Sequence, residues 1–115
     1  MKYSDRNEST TFHLCLLANV INMEEFPLIK LLIEKNISRT EFEELMSLLE
    51  GLNSLLEDQK EEGFLDYTGL LVHFAGMLNE KLYPNETIYA LKKEGYYPSL
   101  INEFVKVLTE DENRG

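Results

Sequence analysis

The stretch SRTEFEELMSLLEGLNSLLEDQKEEG, residues 38–63, decides the fold. Ser38 and Glu41 stand in the S-x-x-E spacing of a capping box, in which each side chain satisfies a backbone donor that the first helical turn leaves unpaired. Behind this start, Phe42, Leu45, Leu49, Leu52 and Leu56 recur at intervals of three, four, three and four, the seam of a coiled-coil-like contact. Met46, Leu48 and Leu55 widen that stripe into an arc that wants partners on more than one side. The helix is expected to run to about residue 62, with Gly63 as its stop.

Working outward, residues 25–35 read as a shorter helix, in which Pro27 fits the first turn because an interior position needs the N–H it lacks. Before it, residues 10–21 form an amphipathic helix entering the core, with Ser9 as cap. After Gly63, Asp66 caps a fourth helix reaching about residue 81, with Tyr67, Leu70, Leu71, Phe74 and Leu78 on one face. Its interior holds Gly69, Ala75 and Gly76, small residues that mark close backbone approach. Pro84 and Gly95 bracket a fifth helix, and Pro98 opens a sixth through Leu100, Ile101, Phe104, Val105 and Leu108. No useful period-two alternation occurs, so no sheet is expected. The fold class is therefore all-α, about six helices with one long central helix. One domain covers residues 10–109, between flexible termini at 1–9 and 110–115.

Length adds a second expectation. A third helix of about 24 residues spans roughly 36 Å, whereas a compact chain of 115 residues has a radius of gyration near 13 Å. Short flanking helices leave part of such a helix uncovered, which favours an intertwined homo-oligomer. The expected subunit contacts are Phe42, Leu45, Leu49, Leu52 and Leu56 on the long helix, with Gly76 on the fourth.

Charge narrows the partners. Eleven Lys and Arg against 21 Asp and Glu leave a net charge of −10, which repels phosphate backbones and anionic lipid, so neither nucleic acid nor membrane is expected. The one cysteine, Cys15, lies inside an apolar run, so no intrachain disulfide forms and a reducing cytoplasm fits. That run carries His13 and Asn19 and follows Asp5 and Glu8, unlike a signal peptide, and is too short to span a bilayer.

Catalytic signatures are absent: no phosphate-cradling glycine loop, no H-E-x-x-H, no C-x-x-C and no nucleophile elbow. His13 and Cys15 are two apart and do not face each other on a helix. His73 shares a helical face with Gly76 and Glu80, but two ligands without a third make a poor metal site, so neither metal nor cofactor is expected. The acidic groups Glu41, Glu43, Glu44 and Glu57, Asp58, Glu61, Glu62 read as solvated helix faces, the first favoured by the helix dipole. One stretch departs from this pattern. Residues 81–97 carry Lys81, Lys92 and Lys93 against Glu86 and Glu94, a local charge of +1, together with Tyr83, Tyr89, Tyr96 and Tyr97. Tyrosine offers a flat apolar face with a polar tip, and lysine a point charge for phosphate. With His73 and Asn79, these residues are candidates for holding a nucleotide-like ligand between subunits, or for forming the interface itself.

The segments Phe74-Ala75-Gly76-Met77-Leu78-Asn79-Glu80-Lys81-Leu82, Glu86-Thr87-Ile88-Tyr89-Ala90-Leu91 and Glu94-Gly95-Tyr96-Tyr97 resemble the YhaI-like family of small uncharacterised bacterial proteins. So do Asn22-Met23 to Phe26-Pro27, the Lys35-Asn36-Ile37-Ser38 turn and Gln59-Lys60 to Gly63-Phe64, and the likeness covers roughly residues 12–108. The resemblance implies a multihelical, intertwined trimer with no assigned activity. Departures lie in the first eleven residues and at Tyr83-Pro84-Asn85.

The leading expectation is a non-catalytic, cytoplasmic homo-oligomeric binding or interaction protein, in which the long third helix and the Gly76 region make subunit contacts. Beside it stands a sequestering protein, phage-borne, that captures a nucleotide-derived signal through Lys81, Lys92, Tyr89 and Tyr96. A third reading is a small enzyme using His73 with Asn79 and a carboxylate.

Overall fold

The computed structural model describes residues 2–20 and 23–114, with side chains placed for most of them. Six helices follow in order: α1 Lys2–Val20, α2 Pro27–Glu34, α3 Arg39–Glu61, α4 Thr68–Met77, α5 Pro84–Glu94 and α6 Pro98–Arg114, with a 3-10 turn at Met23–Glu25. Among the described residues there is no strand.

Most boundaries follow the local chemistry. The Glu41 N–H donates to Ser38 Oγ at 3.1 Å and the Ser38 N–H to Glu41 Oε1 at 2.9 Å, completing the capping box of α3. Gly63, at φ 89°, closes that helix, and the Phe64 N–H reaches back to the Gln59 carbonyl. Gly95 at φ 80° ends α5 in the same way, with the Tyr96 N–H on the Leu91 carbonyl. Asp66 accepts from the Thr68 N–H and hydroxyl at 2.9 and 2.6 Å, so it organises the start of α4 from one position ahead of the cap, Tyr67. The ends of three helices differ from the apolar pattern. α4 stops at Met77 because Leu78 turns extended and Asn79 Oδ1 takes the Lys81 N–H at 2.9 Å, starting a turn where the pattern predicts helix. α1 begins at Lys2 and α6 reaches Arg114, so both helices continue through polar residues past their apolar ones.

The core holds Leu28 and Leu31 of α2, Leu45, Leu49, Leu52 and Leu56 of α3, Leu70 and Phe74 of α4, Ile88 and Leu91 of α5, and Leu100, Ile101 and Phe104 of α6. α5 lies between α2 and α6, while α3 packs on α4 and α6. Phe74 and Phe104 meet at a centroid distance of 5.4 Å and 40°, joining the two halves. One buried hydroxyl, Thr87, donates to the Tyr83 carbonyl at 2.7 Å and is satisfied within its own helix.

A long-range cap fastens α2. Its N-terminus has Phe26 at the cap position with no side-chain bond of its own, and the Leu28 and Ile29 N–H groups donate instead to Glu94 Oε2 at the end of α5. A carboxylate there meets both the orphan donors and the positive end of the helix dipole. Glu94→Ala is therefore expected to lower unfolding free energy by about 1–2 kcal/mol, measured by urea titration, with Glu94→Gln recovering part of the loss.

The apolar run expected to enter the core does not do so within this chain. Every described side chain of α1 from Glu8 to Val20 is exposed, and Ile21 lies outside the described residues. The molecule is long in consequence, 57 × 27 × 23 Å with a radius of gyration of 16.8 Å, against about 13 Å for a compact chain of this length.

Candidate functional site

The ligand candidates divide into separate groups. Lys81 Nζ sits 2.8 Å from Glu41 Oε1 and 3.1 Å from the Asn36 carbonyl, while Asn79 Nδ2 donates to Glu41 Oε2 at 3.0 Å. The cluster ties the α4–α5 turn to the α2–α3 turn, where Asn36 adopts a left-handed φ of 54°. Lys92 donates instead to Asn102 Oδ1 on α6 at 2.9 Å. Tyr83 is exposed, with the Lys35 ammonium 5.2 Å from its ring centroid. Tyr96 and Tyr97 pack against the core, half-buried, whereas Tyr89 and Lys93 face solvent. His73 is exposed on α4 and makes no hydrogen bond or ion pair among the described residues.

A groove of about 670 Å³ opens between α3 and α4, lined by Thr40, Glu43, Glu44, Leu48, Met77 and Leu78 among others. Of the nine ligand candidates only Asn79 lines it. Lys81 and Asn79 are thus brought together as a structural clasp. Among the described residues no group of three or more His, Cys, Asp and Glu is placed to hold a metal ion.

The clasp is electrostatically tight. The Lys81 ammonium first, then the Ser38 N–H and the Asn79 amide, hold the Glu41 carboxyl at about 2, well below its ordinary 4.5. Bonds from Thr68 lower Asp66 in the same direction. A depressed carboxyl contributes stability that is complete above its unfolded value and lost as pH falls through its folded value. Glu41→Gln should therefore flatten the decline in stability between about pH 4.5 and 2, checked by denaturant midpoints at successive pH values.

The expected subunit contacts fall differently. Leu45, Leu49, Leu52 and Leu56 are taken up by the chain's own core and Phe42 is half-buried, because α4 and α6 cover that side of α3. Of the remaining leucines of α3, Leu55 is exposed, while Leu48 is half-buried beside α4. Gly76 lies on the exposed side of α4. A Cβ added at Gly69 or Gly76 would meet nothing within 4 Å, so the close approach those glycines suggested does not occur within the chain.

The largest unpartnered surface is the one the sequence placed inside. Phe12 is 59% exposed, Leu17 53% and Val20 83%, with Leu14 and Leu16 exposed as well. These residues cover more than half of the helix circumference, wider than the apolar stripe of an ordinary surface helix. The whole chain exposes 8123 Å², in keeping with its elongated shape. The signal in the sequence was the lack of a polar side between residues 12 and 21.

Fold and surface together define an all-α protein with an exposed apolar helix, and no described helix is long and apolar enough to cross a membrane. The chain belongs to a family described as protein of unknown function, DUF1878, whose model matches residues 1–109.

Proposed function

We propose that this is a non-catalytic, self-assembling binding protein whose subunits are held together through α1. The observation that carries the reading is the exposure of Phe12, Leu14, Leu16, Leu17 and Val20 on the C-terminal half of α1. Monomers rarely leave an apolar surface of this extent open. The resemblance to the YhaI-like family supports the same assembly, an intertwined trimer. Exposed Cys15, left as a thiol, suits the reducing cytoplasm.

Assembly leaves the other surfaces to a protein partner. The nucleotide-sequestering alternative draws less support, since the Lys81 ammonium is already held by Glu41 and Asn36 and that of Lys92 by Asn102. An obligate oligomer has a stability coupled to its own concentration. The Tm of the wild-type protein is expected to rise by several degrees over a hundredfold increase in concentration; a Tm independent of concentration would contradict the reading.

A further inference from the structure

We propose that residues 12–20 of α1 seat on the outer face of α4 in a second copy of this chain, so that each subunit gives one helix and receives another. The inference rests on the self-assembly reading and names the surface that accepts α1.

Charge distribution singles out the pair. In a chain that is 28% charged, the two longest stretches without Asp, Glu, Lys or Arg are residues 9–23 and 67–79. The first holds the apolar half of α1, and the second contains all of α4. Interface centres are depleted of charge in this way. Leu70 and Phe74 take the buried side of α4, while Gly69, Val72, Ala75, Gly76 and Met77 are exposed, Val72 and Met77 each at 65%. Gly69, Val72 and Gly76 follow one another at three and four residues, so they lie along one line of the helix. Neither glycine has a positive φ, and neither faces a neighbour within the chain. Apart from His73, which is exposed on the same face, they leave a low surface that a second helix can approach closely. Met77 continues it into the groove beside Leu48 and Leu78.

Size agrees with this seat. Residues 12–20 form about 13 Å of helix, and 69–77 the same. A symmetric contact between two copies of α1 would leave the α4 face open, whereas giving α1 to one neighbour and receiving it from another covers both faces, and such head-to-tail contacts close into rings. The chain's own α4 is a poor acceptor. Two residues separate Val20 from Met23, which then leads into α2 against α5, whereas α4 packs on α3 and α6.

The lone thiol on α1 supplies the test. The native chain, carrying Cys15, is co-expressed with a second chain bearing Cys15→Ser and Val72→Cys, and the complex is treated with a short bismaleimide. A parallel complex uses Cys15→Ser with Ile29→Cys on the exposed side of α2. The expected result is an oligomer by native mass spectrometry in which peptides containing positions 15 and 72 are joined between chains, with little joining of 15 to 29. An oligomer joined at 29, or not joined at 72, would overturn the α4 seat while leaving self-assembly standing. A monomer would overturn both. As a second readout, Gly76→Phe, whose Cβ meets nothing within 4 Å inside the chain, is expected to dissociate the oligomer with helix content unchanged. Retention of the assembly by that variant would also count against this seat.

Discussion

A chain carrying Leu16→Asp and Leu17→Asp is expected to be a folded monomer. Both leucines are exposed on α1 and lie outside the hydrophobic core, so the bundle of α2 to α6 keeps its packing. In the assembly each leucine gives up about 1.5–3 kcal/mol of burial, and each aspartate adds the cost of placing a charge in an apolar contact. Together the two changes remove at least about 4 kcal/mol from association, roughly a thousandfold or more in Kd. Sedimentation velocity reads the mass, and far-ultraviolet circular dichroism reads the fold. A double variant that remains assembled would show that subunits join through another surface.

Phe104→Ala should produce the largest loss of intrinsic stability. Its ring is fully buried on α6 and packs on Phe74 at 5.4 Å, where α3, α4 and α6 converge. Truncation removes the burial and leaves a cavity in an environment that relaxes only partly, a cost of about 3–5 kcal/mol. Against a total stability of roughly 5–15 kcal/mol, this brings a marginal domain close to unfolding. Measured on the Leu16→Asp, Leu17→Asp monomer, so that association does not contribute, Tm should fall by about 12–20 °C. A fall of only a few degrees would mean that the site collapses around the smaller side chain.

The helices were legible where their ends carry local chemistry. Ser38 and Glu41, Gly63, Pro84, Gly95 and Pro98 each act within a few residues of themselves, and the structure uses them as the sequence implies. Long-range relations were not legible. Nothing near Phe26 announces that α2 is capped by Glu94, which comes from 66 residues away. Lys81 read as a phosphate binder because local sequence does not reveal that the α2–α3 turn brings Glu41 to it. The apolar spacing of α3 gave the buried residues correctly but not what buries them. Leu45 to Leu56 suit a second subunit as well as they suit α4 and α6, since hydrophobic periodicity carries no address. The reverse holds for α1, where an apolar run reads as core although the chain folds without covering it.

Native mass spectrometry of the freshly purified protein tests self-assembly most directly. The account predicts an oligomer, with a trimer as the expected species, and its conversion to monomer by Leu16→Asp and Leu17→Asp. A wild-type protein that is monomeric at micromolar concentration would contradict it, since α1 would then stand exposed in solution without a partner copy.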